Sequence, residues 1–251
     1  MKKQTSILLL ALAAAFSSCK KDAASTLNGN EKHKLAEMSV TSTRNTPGVI
    51  VIIGASTAAG SGAKPIDSSW VNRLRMETAG NPVPLKYINL AAGGYTSYHG
   101  MPTGFVKIGR PAPDTERNIT KALSYHPSLV MITFPSNDIA KQYASDEVIN
   151  NYATIVQKLD SAKVPYILFG TQPRDFTDST QRISLKKLND RLAALYGNKA
   201  NNYFDQLSTS SFRIKPELAA GDGIHLNNKG HYIVLLSVKN HPVFQATLQG
   251  K

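Results

Sequence analysis

The stretch VIIGASTAAGSG, residues 51–62, contains the clearest signal of architecture in the chain. An apolar run ends abruptly at Gly54, and Ser56 follows among residues with almost no side chain. Such a run is typical of a strand that is buried on both faces of a sheet. Ser56 therefore either completes a tight turn or offers an accessible hydroxyl. Other parts of the chain help to distinguish these two roles.

Short apolar runs like the first recur along the chain and alternate with segments of helical spacing. The predicted strands are residues 49–53, 85–90, 129–134, 166–169 and, more weakly, 203–204. The predicted helices lie near 70–76, at 114–125, 145–163 and 181–196, and from 227 or 228 onward. Strands that alternate with helices of this length predict βαβ crossovers and a parallel sheet covered on both faces.

Apolar residues at helical spacing are expected to mark the core-facing side of each helix. They are Trp70, Leu74 and Met76; Ile119 and Leu123; Val148, Ala153, Ile155, Val156 and Leu159; Ile183, Leu185, Leu188, Leu192 and Leu195; and Tyr232, Val234 and Leu235.

The N-terminal residues predict export. Lys2 and Lys3 precede an apolar run at 7–16, which is too short to span a bilayer, and small residues lead to Cys19, the single cysteine. We expect a signal peptide at 1–18 and a lipobox-like site where Cys19 receives a diacylglycerol, although Phe16 departs from the usual leucine. The alternative is ordinary secretion with a spare thiol.

Residues 19–47 are polar and without periodicity, which predicts a flexible tether before a domain at 48–251. The expected location is the bacterial envelope, with the outer membrane as the anchor's site and the membrane as a partner. The oligomeric state has no signal in the sequence.

The charge balance is strongly basic, with 29 Lys and Arg against 17 Asp and Glu and a formal net charge of +12. Nucleic acid, anionic lipid and acidic polysaccharide all suit a cationic protein. The basic residues are scattered, without long runs or interleaved aromatics. This pattern favours a solvated cationic surface and predicts no nucleic-acid partner.

Polar residues directly after each predicted strand are the candidates for function, because ligands of parallel sheets bind beyond the strands' carboxyl ends. Three stretches follow strands and one lies near the C-terminus. They are GAST at 54–57, NLAAGGYTS at 89–97, PSND at 135–138 and DGIHLN at 222–227.

These stretches together contain the parts of a serine hydrolase. A serine hydroxyl needs a base, and His225 is the histidine with an acid, Asp222, three residues earlier. The Gly94 N–H, the Asn137 side-chain amide and the Ser56 N–H are candidate oxyanion donors. Each stretch alone also fits a structural role, such as a turn, a helix cap at Asn137 or a surface loop, but the four occur together and in order.

This set resembles the SGNH hydrolase family, also called GDSL-type esterases and lipases, at Ser56, Gly94, Asn137 and His225, with Asp222 completing the triad. The resemblance implies a flavodoxin-like three-layer α/β/α sandwich and hydrolysis of esters or thioesters without metal or organic cofactor. Two positions depart from the family pattern, since Ala55 replaces an aspartate and Pro135 replaces a glycine. The G-x-S-x-G elbow of α/β-hydrolases does not fit, because Ala58 occupies its last position.

The substrate is expected to be a small ester or an acylated glycan, with removal of acetyl or similar short groups. Residues 95–114 follow the glycine motif and carry Tyr95, Tyr98, His99 and Phe105. These aromatics form either a sugar platform or acyl pocket, or anchors for a surface loop. Lysophospholipase or thioesterase activity, and a degenerate member that only binds carbohydrate, are the alternatives.

Overall fold

The predicted strands form one parallel sheet. A computed structural model of the chain describes residues 48–134 and 136–250. Within them the strands are β1 (Gly48–Gly54), β2 (Leu85–Asn89), β3 (Leu129–Thr133), β4 (Tyr166–Phe169) and β5 (Ala200–Asn201). Their order is β2-β1-β3-β4-β5, with every pairing parallel. This is the flavodoxin-like order, so the predicted fold class is confirmed.

Helices connect the strands and cover the sheet. They are α1 (Ser56–Ala59), α2 (Trp70–Glu77), α3 (Ile119–Ser124), α4 (Asn137–Ala140), α5 (Ser145–Ser161), α6 (Ser179–Tyr196), α7 (Phe204–Leu207), α8 (Asn228–Lys239) and α9 (Pro242–Leu248). Short 3₁₀ turns lie at Ile66–Ser68, Ser97–Gly100, Gly197–Lys199 and Pro216–Leu218. The predictions for 1–18, Cys19, 19–47 and Pro135 lie outside the described residues.

Strand β1 shows why the inner strands are almost entirely apolar, unlike β2, where Lys86 and Asn89 are exposed. Val51 and Ile53 pack in a core that α3, α5 and α6 cover, whereas Ile50 and Ile52 pack in a second core under α2, α8 and α9. All four side chains are fully buried. Burial of each is worth about 1.5–3 kcal/mol, so both faces of the sheet must be covered by helices.

The fifth strand was predicted at the wrong residues. The weak run Tyr203–Phe204 predicts a strand, but β5 lies at Ala200–Asn201 and Phe204 begins α7. Both aromatic side chains are buried, and the Tyr203 ring packs edge-on against Phe169. Their apolar character thus reflects core packing after the strand, which a short run cannot distinguish from strand pairing.

Helix starts follow side-chain caps. The predicted helix 114–125 begins only at Ile119, because the Asn118 side chain accepts from the Lys121 N–H. Asp178 caps α6, and Asn227 caps α8 by accepting from Lys229 and Gly230. Helix α9 has no counterpart in the prediction.

Some predicted core positions face solvent instead. Met76, Ile183, Leu195, Tyr232 and Ala153 are exposed. Polar or aromatic residues of the same helices are buried in their place, namely Asn151, Tyr152, Asn189 and His231. Asn151 and His231 have internal hydrogen-bond partners there, whereas the buried Asn189 Oδ1 has no partner among the described residues.

The chain order of the sheet determines where a ligand can bind. The connection from β1 leads to β2 on one side, and β3 then pairs with β1 on its other side. The loops that follow β1 and β3 therefore diverge at the carboxyl end of two adjacent strands. This is the topological switch point at which open α/β sheets bind their ligands.

Candidate active site

Ser56 and His225 meet at the switch point. Ser56 is the first residue of α1, directly after β1, and His225 lies in the loop before α8. Their side chains are joined by a hydrogen bond of 3.0 Å between Ser56 Oγ and His225 Nε2, across 169 residues of sequence. The hydroxyl can donate to this nitrogen, which is the contact that a serine nucleophile requires of its base.

Asp222 holds the other side of the imidazole. Its Oδ2 lies 2.6 Å from His225 Nδ1, so Nδ1–H donates to the carboxylate when Nε2 accepts from Ser56. The Asp222 Oδ1 accepts the backbone N–H groups of Ile224 and His225, at 2.9 and 2.8 Å. Partial burial opposes the charged form, but the His225 N–H and ring and the Ile224 N–H lower the pKa of Asp222 to about 2.

Two backbone N–H groups are available beside the serine. Among the described residues, neither the Ser56 N–H nor the Gly94 N–H donates to a protein acceptor. Gly94 has φ +78, and a side chain there would meet no atom within 4 Å, so the positive φ rather than crowding favours glycine. Both groups lie in loops that follow neighbouring strands at the same edge of the sheet.

The Asn137 amide has one defined orientation. It lies at the first position of α4, in the segment that follows β3. Its Nδ2 donates to the Tyr95 carbonyl at 2.9 Å, and its Oδ1 accepts from Arg174 Nη1 at 3.3 Å. The second Nδ2 hydrogen remains for an oxyanion, because an amide nitrogen carries two donors.

Asp138 connects the loops that carry Asn137 and Gly94, a function that the sequence did not indicate beyond a turn or cap. The carboxylate accepts the Ser97 N–H at 3.0 Å and the Ser97 hydroxyl at 2.6 Å, and Asn151 donates to that hydroxyl oxygen. Asp138 is 2% exposed, and burial raises its pKa to about 6 against the effect of the Ser97 bonds.

Gln172 connects the turn that carries Ser56 to the loop at 222–227 that carries His225, called the histidine loop below, and the sequence analysis does not identify it. It follows β4 and is 1% exposed. Its Oε1 accepts from the Thr57 hydroxyl and its Nε2 donates to the Ile224 carbonyl, both at 2.8 Å. The signal available was its place just after a strand, since no motif marks it.

Two close backbone approaches also hold the histidine loop. The Asp175 N–H donates to the Gly223 carbonyl at 2.8 Å. A side chain at Gly62, where φ is +92, would lie 2.2 Å from the Leu226 carbonyl oxygen and 2.9 Å from the His225 Cβ. Only glycine allows this approach, so the turn after α1 and the histidine loop are packed backbone to backbone.

The family's usual aspartate has no polar substitute at Ala55. The Ala55 side chain is fully buried in the apolar core that contains Ile53 and Tyr98, and the Ala55 N–H donates to the Thr133 carbonyl at 2.9 Å. The turn is thus held by the backbone and by Thr57 on its polar side. The second departure, Pro135, lies outside the described residues.

The loop at 95–114, which follows Gly94, packs on the domain largely through its aromatic side chains. Tyr98 is fully buried and packs against Phe105 and Tyr143, and the Tyr95 hydroxyl donates to Asp114. The His99 ring stacks on Tyr95 at 4.3 Å. Tyr98 is therefore an anchor of the loop and not a platform for sugar.

Two further findings concern the described residues. No helix in residues 48–134 or 136–250 is long and apolar enough to cross a membrane. In the same residues, no three His, Cys, Asp or Glu side chains cluster closely enough to hold a metal ion.

Comparisons with known proteins agree with this fold. The chain resembles a GDSL-like lipase from Bacteroides thetaiotaomicron, with a TM-score of 0.57 and 19% identity over 87% of this chain and 98% of that one. A psychrotrophic esterase from Pseudoalteromonas sp., in a structure inhibited by monoethylphosphonate, has a TM-score of 0.58 and 16% identity over 79% and 98%. A lipase/acylhydrolase from Enterococcus faecalis has a TM-score of 0.58 and 18% identity over 79% and 96%.

At these identities the likeness shows the fold, and the family is shown by sequence. A comparison with curated proteins gives no match. Residues 52–233, most of the chain, match the model of the GDSL-like lipase/acylhydrolase family. The chain therefore belongs to this family, whose members are carboxylic ester hydrolases.

Proposed function

We propose that the protein removes acetyl or similar short acyl groups from glycans through an acyl-Ser56 intermediate. The observation that carries the proposal is the continuous hydrogen-bonded line from Ser56 Oγ through the His225 ring to Asp222. The Ser56 and Gly94 N–H groups donate to no acceptor in the part of the chain that the structure describes, and they lie at the same sheet edge. We assign Ser56 as nucleophile, His225 as base and Asp222 as the group that orients it.

Acylation of the enzyme follows from this geometry. His225 Nε2 takes the Ser56 proton as Oγ attacks the ester carbonyl, and the carbonyl electrons move to its oxygen. The Ser56 and Gly94 N–H groups and the free Asn137 Nδ2 hydrogen stabilise this oxyanion. When the tetrahedral intermediate collapses, the ester C–O bond breaks and the leaving alcohol takes the proton from His225.

Deacylation repeats the same steps with water. His225 removes a proton from water, the hydroxide adds to the acyl carbonyl, and Ser56 leaves with the proton that His225 returns. Asp222 stays charged throughout, because its pKa of about 2 lies far below neutral pH. It stabilises the imidazolium that forms in both half-reactions.

The openness of the site supports an acyl group carried on a large molecule. The Asp222 side chain is 48% exposed and that of His225 is 21% exposed, so the triad lies at the protein surface. Arg174, Asn137 and the loop backbone give the rim a polar character. A sugar polymer can approach such a rim without entering a deep cavity.

A substrate panel on wild type and Ser56→Ala tests the proposal. It contains p-nitrophenyl esters of increasing chain length, acetylated sugars, a lysophospholipid and an acyl thioester. We expect hydrolysis of acetyl esters and acetylated sugars by wild type and a loss of about 10³-fold or more in Ser56→Ala. Full activity in Ser56→Ala would contradict the assignment of the nucleophile.

The same panel separates the alternatives. A preference for long-chain or thioester substrates would replace the glycan assignment by a lysophospholipase or thioesterase. Binding of acetylated sugar without any hydrolysis would indicate a degenerate, carbohydrate-binding member.

We also propose that the protein is a lipoprotein of the bacterial envelope, anchored through Cys19 in the outer membrane. The proposal rests on the charged start, apolar run and lone cysteine of the N-terminal sequence. Incorporation of a labelled fatty acid into wild type and not into Cys19→Ser is the expected result. Equal incorporation by the two, or none, would contradict the anchor.

A further inference from the structure

Arg174 is a half-buried cation beside the proposed oxyanion site. It lies between β4 and α6, where its Nη1 donates to Asn137 Oδ1 at 3.3 Å and its guanidinium carbon lies 5.0 Å from the Phe176 ring centre. Within residues 48–134 and 136–250, no carboxylate oxygen lies within 4.0 Å of the guanidinium. Its other N–H groups donate to no acceptor there.

Two other arginines of the described chain, Arg182 and Arg110, are satisfied by protein groups. Arg182 is buried and donates to the carbonyls of Phe176, Thr177 and Ser211. Arg110 forms a bidentate ion pair with Glu147. Arg174 has neither arrangement, and burial lowers its pKa although Asp222 opposes the effect. A partly dehydrated cation without an ion pair is costly unless a ligand completes it.

The acid whose charge acts on Arg174 does not serve as its ion-pair partner. Asp222 accepts from the Ile224 and His225 N–H groups and from the His225 ring, so most of its lone pairs are engaged by its own loop. Its charge influences Arg174 only at a distance. The open guanidinium donors therefore remain for a group that is not part of the protein.

The position of Arg174 relates it to the reacting ester. The Asn137 amide contacts the guanidinium through Oδ1, and its Nδ2 is the proposed donor to the oxyanion. One amide group thus separates Arg174 from the ester carbonyl. A substituent on the sugar that carries the acyl group can reach this cation.

We propose that Arg174 binds a carboxylate of the substrate, so that the acylated glycan is an acidic one with uronic-acid residues. The inference rests on the proposed glycan esterase function and specifies its substrate class. A guanidinium presents a planar fork of donors that matches a carboxylate in a two-bond contact. The net charge of +12 also attracts a polyanion over a longer range.

The test uses two substrates that differ in one group. They are a methyl glucuronoside and a methyl glucoside, each acetylated at the same hydroxyl. Both are assayed with the purified full chain beside an acetylated phosphoglycerol and p-nitrophenyl acetate. We compare wild type, Arg174→Met, Arg174→Lys and Arg75→Met. Arg75 lies on the exposed side of α2, so its variant loses the same charge away from the site.

We expect wild type and Arg75→Met to prefer the acidic sugar by about tenfold or more in kcat/KM, the size of one charge-assisted contact. Arg174→Met should reduce the preference to about one, and Arg174→Lys should retain part of it. Any loss that acts through Asn137 affects both sugars equally and leaves their ratio unchanged.

The other outcomes overturn the proposal in distinguishable ways. Hydrolysis of both sugars without a preference, or an equal loss on both in Arg174→Met, would make Arg174 only a positioning residue for Asn137. A preference for an acetylated phosphoglycerol over the uronoside would assign the cation to phosphate. Hydrolysis of neither sugar nor of p-nitrophenyl acetate by wild type would remove the proposed function itself.

Discussion

Single residues show how two carboxylates in one protein take opposite roles. Asp222 lies at the rim and accepts three N–H bonds, which lower its pKa to about 2, whereas burial raises the pKa of Asp138 to about 6. The first is therefore charged whenever His225 needs a negative partner. The second, Asp138, is buried and hydrogen-bonds one loop to another. Its ionisation at neutral pH lowers the free energy of unfolding, because burial disfavours the charged form.

The pH dependence of stability follows from Asp138. Because its pKa in the folded state lies above the value of about 3.9 in the unfolded state, its contribution is full below about pH 4 and is lost as pH rises through about 6. We expect the free energy of unfolding of wild type, relative to Asp138→Asn, to fall by about 2–3 kcal/mol between these limits. Urea unfolding of both proteins from pH 4 to 7 measures it.

Asparagine is the matched substitution, since it keeps the shape and can pair with the Ser97 N–H and hydroxyl. Taking the difference between the two proteins cancels the titration of all other groups. A difference that is flat with pH, or rises with it, would contradict the assignment.

The chemistry of individual side chains made part of the site predictable. Ser56, Asn137, Asp222 and His225 were recognised because these residue types follow strands or occur at a triad spacing. Asp138, Gln172 and Arg174 were not, because what they do depends on contacts with residues 37 to 115 positions away. No local pattern in the sequence reports such contacts.

At the scale of elements, side-chain bridges fasten together the loops that follow the strands. Asp138 joins the loop after β3 to the loop after β2, and Gln172 joins the segment after β4 to both α1 and the histidine loop. The Ser56–His225 distance therefore depends on residues that touch neither reacting atom. Gln172 is a positioning residue in this sense.

Replacement of Gln172 by methionine should loosen this arrangement. The Thr57 hydroxyl and the Ile224 carbonyl lose their buried partner, which costs about 1–3 kcal/mol each in unfolding free energy. We expect kcat on a short-chain ester to fall by about tenfold or more with KM less affected, since a small misplacement of reacting groups slows chemistry. Steady-state kinetics and thermal unfolding measure the two effects.

Thr57→Val is the graded control, because it removes one bond and leaves the link from Gln172 to Ile224 intact. Its kcat should lie between those of wild type and Gln172→Met, and Thr57→Ser should restore it. Normal kcat in a destabilised Gln172→Met would show that the bridge serves folding alone.

Elements were predictable where one physical signal dominated. Strands β1, β3 and β4 are buried on both faces, so their apolar runs marked them directly. Strand β5 has two residues, too few for any periodicity. The strand is therefore predicted at the neighbouring buried aromatics, Tyr203 and Phe204. Helix α3 was overextended because the cap at Asn118 was not weighed against an apolar pattern that begins earlier.

At the scale of the whole molecule, a high net positive charge occurs together with a solvent-accessible catalytic triad. Its net charge of +12 is scattered in sequence, which indicated only a solvated cationic surface. Arg174 has no ion-pair partner within residues 48–134 and 136–250, and together with the same charge it leads us to propose a polyanionic substrate. Two effects would then act on an acidic substrate. One is a direct contact with Arg174 at the site, and the other is a long-range attraction by the net charge.

Salt should separate a polymeric acidic substrate from a small neutral one. Raising NaCl from about 0.05 to about 1 M shortens the screening length from above 10 Å to about 3 Å. We expect kcat/KM for an acetylated acidic polysaccharide to fall by about tenfold or more, while that for p-nitrophenyl acetate changes by less than about twofold. Parallel loss on both substrates, or none on the polymer, would contradict this account.

The central claim is that His225 activates Ser56 across the sheet edge. The most direct measurement is reaction with a fluorophosphonate probe, followed by mass spectrometry of the labelled peptides in wild type, His225→Ala and Ser56→Ala. The account predicts one stoichiometric adduct on Ser56 in wild type, a rate at least about 10²-fold lower in His225→Ala, and no adduct in Ser56→Ala. An adduct on another residue, or Ser56 labelling at an undiminished rate in His225→Ala, would contradict it.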